Sequence, residues 1–383
     1  MKGKIVFISH EASFTGAPII LLNTLRYLKG KIPYDFVVVL PFDGPLRKDF
    51  QEVSEVIIYN DLMINGRKAN ILQRFRLRNR YDEYRIRGIF SKYDIKLIFS
   101  NTIVNGNLVD NINYNKVPVI TYVHELAHVI QEQDPIAIRK VMQHTTQFLT
   151  GSDAVKRNLL NMGVSEDIIK VMPSSIPYDK LISNLSGVDI NQLRAELNLQ
   201  VADKVIIAIG AAEWRKGNDL FIQLAKNICG THSDVHFVWV GVKEGSSSFK
   251  QMQYDIEHLG IKERVHLIPV IPDALKYLAL ADIFVLTSRE DPFPVVILEA
   301  AAAGKPIVCF ADTGGSPDFV GTANGVVVPY GNIEAMQLSL IVLLFDEKTR
   351  TTLGENARQL VRKEYNVSVV ADRIGKVIGH YAK

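Results

Sequence analysis

SREDPFPVVILEAAAAGKPIVCF, Ser288–Phe310, follows the apolar run Asp282–Thr287 and itself ends in another such run, Pro306–Phe310. Between the two runs lies an apolar, alanine-rich segment, closed by Gly304, Lys305 and Pro306, that is long enough for a helix. Strand, helix, strand in that order is the βαβ unit of a parallel sheet. Pro292 and Pro294 set the start of the helix, because a proline near the first helical position lacks an N–H that would have no partner there anyway. The N–H groups that follow are free to face an anion. Glu299 and Lys305 interrupt the greasy region Pro294–Ala311, which makes it a buried helix and strand and not a membrane segment. Asp291 and Glu299 stand eight residues apart, a little over two helical turns. Two carboxylates so placed, one at the helix mouth and one further along a similar face, can meet two separate polar groups of one ligand; a helix-capping acid and an incidental glutamate are the bland alternative.

The same alternation runs outward in both directions. Strands are expected near Lys4–Ser9, Asp35–Leu40, Glu55–Tyr59, Lys96–Ser100, Val117–Tyr122 and Gln147–Thr150, then near Lys204–Ile209, His236–Val240, Arg264–Ile268, Asp282–Thr287, Pro306–Phe310 and Gly325–Val328. From Asn332 onward the pattern is helical. The stretch Met172–Asp189, rich in Pro, Ser and Gly, marks the passage between two domains. The expected division is an N-terminal Rossmann-like domain over 1–180, a linker over 181–202, a C-terminal Rossmann-like domain over 203–365 and a final helix over 366–383.

Composition agrees with that size. A chain of 383 residues, 47% hydrophobic and 22% charged, is a folded globular protein of two domains and not a disordered one. Cys229 and Cys309 have no metal-ligand spacing and read as buried thiols in a reducing cytoplasm. The opening MKGKIVFIS is too short for a signal-peptide core. A net charge of +3 is nearly neutral, and no nucleic-acid partner is expected. The excess sits in Arg67–Arg87, a basic, partly amphipathic stretch with Arg74, Arg76, Arg78, Arg80 and Arg85 interleaved with Ile71, Leu72, Phe75, Tyr81 and Tyr84. It reads either as a solvated helix face or as a contact with an anionic membrane.

In open parallel sheets ligands bind beyond the carboxyl ends of the strands, and three further places stand there. In SHEASFTGAP, Ser9–Pro18, Gly16 and Ala17 allow close backbone approach and the following helix offers free N–H groups to a phosphate; a plain strand-to-helix turn would look the same. In IGAAEWRKGND, Ile209–Asp219, Arg215 and Lys216 lie after a strand and before a helix that Asn218 or Asp219 can cap, where two cations could hold a diphosphate leaving group. In ITYVHELAH, Ile120–His128, His124 follows a strand and is either structural or part of a site. Val270, after the strand RVHLI, is placed for base recognition.

Together these strings resemble the family-four retaining glycosyltransferases of the GT-B fold. The resemblance rests on Glu290–Glu299, the Ala-Gly-Lys-Pro that follows, Gly314-Gly315-Ser316-Pro317-Asp318, Gly16, His124, GSDAVKRNLL at Gly151–Leu160, and RKG at Arg215–Gly217, all in order over most of the chain. It implies two Rossmann-like doubly wound α/β domains facing a central cleft, with a C-terminal helix crossing back to the N-terminal domain. It implies retaining transfer of a sugar from a nucleoside-diphosphate sugar, such as a UDP-sugar, to a glycan or lipid-linked acceptor in cell-surface polysaccharide biosynthesis. No cofactor and no metal are expected, and the location is cytoplasmic, peripheral on the inner face of the membrane. By the same resemblance Gly16 and Ala17 contact donor phosphate, His124 lies beside the transferred sugar, and Arg215 and Lys216, next to Gly210, bind the diphosphate. Asp291 and the backbone of Phe293, Pro294 and Val295 take the sugar and phosphate, and Glu299 takes the ribose. The chain departs from the pattern twice: Ala211, not arginine, follows Gly210, and the eight-residue spacing selects Asp291 where the family has Glu.

Other readings lack their fingerprints. The chain has no G-x-G for a nicotinamide fold, no G-x-x-x-x-G-K-[ST] for a P-loop, and no D-x-D for a metal-diphosphate. A sugar-nucleotide or glycan-binding protein that has lost turnover is the alternative that Ala211 keeps open.

Overall fold

A computed structural model of the chain describes residues 2–64, 70, 72–74 and 77–383. It divides into two compact units, Met1–Ser174 with Val367–Lys383, and Ser175–Asn366.

The first unit is built on β1 (Lys4–Ile8), β2 (Asp35–Leu40), β3 (Glu55–Ile58), β4 (Ile95–Ser100), β5 (Val119–Val123), β6 (Gln147–Thr150) and β7 (Ile169–Val171). These form one sheet in the order β3-β2-β1-β4-β5-β6-β7, and Val6 of β1 lies between Val37 of β2 and Ile98 of β4 in parallel register. Phe7, Val38, Phe99, Ile120 and Leu149 are almost wholly buried. Helices cover both faces of such a sheet, so its strands read as continuous apolar runs and not as alternating ones. β7 escapes sequence reading because it is three residues long at the sheet edge. The final helix, Val367–Tyr381, belongs to this unit and packs on Gly16–Leu28. It buries Val370, Ala371, Ile374 and Ile378, and the Tyr381 hydroxyl donates to Gln147 Oε1 at 3.1 Å.

The second unit carries β8 (Lys204–Ile209), β9 (Val235–Val242), β10 (Val265–Pro269), β11 (Ile283–Leu286), β12 (Ile307–Phe310) and β13 (Gly325–Val328) in the order β10-β9-β8-β11-β12-β13. Successive β8 residues face opposite cores. Val205 and Ile207 pack with Phe284 and Leu298, whereas Ile206 and Ala208 pack with Phe221, Phe237 and Trp239. Both sheets change direction of winding at their first strand, between β1 and β4 and between β8 and β11. Each reversal leaves a crevice at the carboxyl ends of the two strands, where connecting loops diverge to opposite faces.

Residues 181–202 are not a linker. They lie in the helices Tyr178–Ser186 and Ile190–Glu196 and the turns after them, and Leu181, Leu193, Leu197 and Leu199 belong to the core of the second unit. The Pro, Ser and Gly content reflects short helices with their caps: the Asp189 side chain accepts the Gln192 N–H at 3.0 Å. Cys229 and Cys309 are free thiols.

Of the basic stretch, Arg67, Lys68, Ile71, Phe75 and Arg76 lie outside the described residues. Arg78, Arg80, Arg85 and Arg87 ride on the helix Arg78–Phe90, which buries Ile86 and Phe90 and leaves Tyr81 and Tyr84 exposed. Its buried Asp82 accepts the Ile64 N–H at 2.7 Å, so one of the two acids in the stretch serves the fold. Among the described residues no helix is long and apolar enough to cross a membrane.

Candidate functional site

At the β8/β11 crevice, Gly210 follows β8 with φ 155°, a conformation that glycine alone adopts freely. Its carbonyl accepts the Trp239 indole N–H at 2.9 Å, and the place a Cβ would occupy lies 3.9 Å from the Lys216 side chain. A short 3-10 turn, Trp214–Lys216, then leads into the helix Asn218–Cys229. Neither Asn218 nor Asp219 caps that helix. The N-cap is Gly217 in the left-handed region at φ 69°, and a Cβ there would stand 2.0 Å from the Thr287 carbonyl oxygen. The backbone of this turn therefore lies directly against the end of β11.

The loop after β11 is laced to the same turn. The Arg289 N–H donates to the Arg215 carbonyl at 2.8 Å, and the Thr287 hydroxyl donates to the Lys216 carbonyl at 3.0 Å. The Arg289 guanidinium grips both Asp219 oxygens at 2.8 and 2.7 Å and the Trp214 carbonyl at 2.8 Å. That fork is the strong geometry for an arginine and a carboxylate, and it holds the Asp219 carboxyl below its ordinary range. Arg289 also sits over the exposed Trp214 ring, 5.1 Å from its centroid.

Into this frame project the side chains that the sequence singled out. Lys216 Nζ pairs with Asp291 Oδ2, with Lys216 17% and Asp291 6% exposed. Arg215 donates to the Glu290 carbonyl at 3.1 Å and to Glu213 Oε1 at 2.9 Å. Asp291 precedes the helix Val295–Ala302 that carries Glu299. It is extended, bridged to Gly314, and its N–H is taken by Thr313, with the Gly315 N–H returning to the Pro292 carbonyl at 2.9 Å. The loop after β12 thus fixes Asp291, which explains why GGSPD follows the first motif in the sequence. Pro294 is the N-cap of the helix Val295–Ala302; it has no N–H, so the backbone donors at this helix mouth are those of Phe293 and the first helical residues. Glu299 is half-buried on that helix, and burial pushes its carboxyl up to about 7. The Ser288 and Ser316 hydroxyls are buried with no partner among the described residues. Val270 is exposed after β10, and Ala211 is exposed beside Gly210.

In the first unit the β1/β4 crevice gathers Gly16, Ala17 and His124. Gly16 opens the helix Gly16–Leu28. The Ala17 carbonyl accepts Asn101 Nδ2 at 2.8 Å, and Asn101 Oδ1 stands 3.4 Å from His124 Nε2. The buried Glu125 accepts the His124 N–H at 2.9 Å and the Thr102 hydroxyl. Burial, with His10 next in importance, pushes the His124 imidazole down to about 3, so the ring is neutral at ordinary pH.

Sequence reading singled out Arg215, Lys216 and Asp291, missed Thr287, the part played by Arg289 and, in the first unit, Asn101, and named Asp219, Gly217 and Glu125 without the bracing roles they hold here. Arg289 stood inside the first motif, but its partner lies seventy residues away and no local pattern announces it.

Known proteins resemble this chain in both sequence and fold. Residues 189–360 match the family model described as glycosyl transferases group 1. An N,N'-diacetylbacillosaminyl-diphospho-undecaprenol alpha-1,3-N-acetylgalactosaminyltransferase of Campylobacter jejuni is 28% identical over 62% of this chain, a match that spans 61% of the relative's own length. A GDP-mannose-dependent monoacylated alpha-(1-6)-phosphatidylinositol monomannoside mannosyltransferase of Corynebacterium glutamicum is 23% identical over 69% of this chain and 70% of its own. The crystal structure of Anabaena HepE with UDP and glucose superposes with a TM-score of 0.82 at 19% identity, covering 98% of this chain and 99% of that one. The whole of the β8/β11 site lies within residues 189–360, the segment that matches that family model, in a chain with the GT-B fold.

Proposed function

We propose that the chain is a retaining, metal-independent glycosyltransferase that moves a sugar from a nucleoside-diphosphate sugar, such as a UDP-sugar, to a glycan or lipid-linked acceptor. The observation that carries this reading is the Lys216–Asp291 pair at the β8/β11 crevice, inside the segment that matches the family. Glycosyl transfer breaks the bond between the anomeric carbon and a diphosphate oxygen, and the charge that develops on the leaving group is its main cost. Fixed cations lower that cost because they need no reorganisation as the charge forms. Lys216 supplies one such cation, and Arg215, braced against Glu290, takes the place left by Ala211. Asp291 offers an oxygen to a sugar hydroxyl, a charge-assisted hydrogen bond. Glu299 accepts from ribose hydroxyls; because these bonds favour its charged form, nucleotide binding draws its raised pKa down. In the first unit, Gly16 and Ala17 face donor phosphate and His124 the transferred sugar.

Acceptors attached to lipid agree with those for which the Campylobacter and Corynebacterium relatives are named, and with a basic stretch of this composition. Arg67–Arg87 is accordingly given an anionic membrane on the cytoplasmic side as its partner, and each near-surface cation adds about 1 kcal/mol of attraction. Sedimentation with phosphatidylglycerol vesicles and with neutral vesicles tests that contact, and equal binding to both removes it.

Incubation of the purified chain with UDP-, GDP- and ADP-sugars, with and without EDTA, tests the reaction. Nucleoside diphosphate should be released, EDTA should not stop it, and the product should keep the donor's anomeric configuration by NMR. Tight nucleotide binding without release or transfer would support instead a binding protein, the reading that Ala211 keeps open.

A further inference from the structure

Asn101 follows β4 and belongs to none of the motifs read from the sequence, yet three strand ends of the first unit meet on it. Its backbone N–H donates to the Ile8 carbonyl at 2.9 Å. Its side-chain Nδ2 donates to the Ala17 carbonyl at 2.8 Å, and its Oδ1 faces His124 Nε2 at 3.4 Å. A carbonyl oxygen only accepts, so the Ala17 contact requires the amide nitrogen on that side and leaves the amide oxygen facing His124. That oxygen also only accepts. The imidazole nitrogen opposite it must therefore carry hydrogen.

A neutral imidazole has a single N–H, and the hydrogen bond made by one ring nitrogen decides the state of the other. Burial and the nearby His10 keep His124 neutral. Tyr122, whose ring centroid lies 4.0 Å from that of His124, packs against the ring. Glu125 joins the two loops: its Oε2 accepts the N–H groups of His124 at 2.9 Å and Ile103 at 3.4 Å, and its Oε1 accepts the Thr102 hydroxyl. The loop after β4 thereby holds Asn101 opposite His124.

We propose that Asn101 is a positioning residue that locks His124 in the Nε2–H tautomer and so presents Nδ1 as a hydrogen-bond acceptor for a hydroxyl of the transferred sugar. The tautomer follows from the hydrogen-bond directions alone; its use on a sugar rests on the proposed transferase reading. A tautomer set in advance matters because the wrong one places N–H against O–H, two donors facing each other, and the contact is lost.

Long-range proton–nitrogen NMR spectra of the full-length chain, labelled at its 9 histidines, test this directly. The His124 signals are assigned by their loss in His124→Gln. At neutral pH the wild type should show a protonated Nε2 and an unprotonated Nδ1. Asn101→Ala should shift His124 to a mixture of tautomers and lower kcat on the order of tenfold, as loss of an orienting partner does elsewhere, with a smaller change in donor KM. A protonated Nδ1 in the wild type, or an unchanged tautomer in Asn101→Ala, overturns the proposal, and the wild-type reading does not depend on the Asn101 variant folding. If the tautomer is as expected but His124→Gln transfers sugar at the normal rate, the assignment of Nδ1 to a sugar hydroxyl is overturned while the tautomer stands.

Discussion

Lys216 and Asp291 neutralise one another in a site where both are largely withdrawn from water. Losing either leaves a charge there alone, which costs roughly 3 kcal/mol or more in a buried pair. Lys216→Ala should therefore lower both stability and turnover, the latter by about 100-fold or more if it serves the leaving group. The double variant Lys216→Met with Asp291→Leu should recover most of the stability and none of the turnover, as measured by denaturant melts and by release of nucleoside diphosphate. A Lys216→Ala protein with near-normal turnover removes Lys216 from the chemistry. Asp291→Asn should impair turnover strongly and Glu290→Gln weakly; the reverse order would mean that Glu290 is the sugar-binding acid. Glu299 makes a separate prediction through pH. Burial raises its pKa from 4.5 to about 7, so in the window between those values the folded chain holds a proton that the unfolded chain has released. Stability must then fall as pH rises through that window, by up to a few kcal/mol, and level off above it. Glu299→Gln should remove that contribution, read as a difference in melting temperature between the two proteins that changes from pH 4.5 to 7.5; parallel profiles would show that Glu299 has no raised pKa.

Among the elements, the turn from Gly210 to Gly217 and the loop after β11 act as one piece. Gly217 has φ 69° and a would-be Cβ 2.0 Å from the Thr287 oxygen, so Gly217→Ala meets both a backbone penalty and a backbone obstacle. The left-handed conformation alone costs a non-glycine residue roughly 1–3 kcal/mol, and the close approach adds to it. The variant should lose stability by at least that much, and it should lose turnover because Lys216 precedes the displaced residue. Equal denaturation midpoints for Gly217→Ala and wild type would sink this account of the turn. Sequence spacing had placed Asp291 at the mouth of the helix and Glu299 further along a similar face, and the helix indeed carries Glu299. Asp291 lies before it, held by Thr313 and Gly314, because a parallel bridge to the next loop satisfies its backbone better than an unpartnered helix mouth.

For the whole molecule, the second unit is a continuous segment, Ser175–Asn366, whereas the first needs the tail Val367–Lys383 to complete it. The segment 175–366 expressed alone should fold and bind nucleoside diphosphates, because the β8/β11 site and both of its cores lie inside it. Deleting 367–383 should instead uncover the apolar side of Gly16–Leu28, lower the melting temperature and raise binding of a hydrophobic dye. A segment 175–366 that stays unfolded, or a tail deletion that melts like the full chain, would contradict this division.

Apolar runs, prolines and glycines settled every strand but β7 of the two parallel sheets to within a residue or two, and the position of Arg215, Lys216 and Asp291 after strand ends, because each of these depends on neighbours in the chain. Composition could not distinguish the capped helices Tyr178–Ser186 and Ile190–Glu196 from a linker, since short helices and loops share Pro, Ser, Gly and Asp. Only the tertiary structure paired Lys216 with Asp291, Arg289 with Asp219, and Asn101 with His124 and Ala17. Those contacts join residues brought together by strand order, and strand order is decided by how the whole apolar surface is buried.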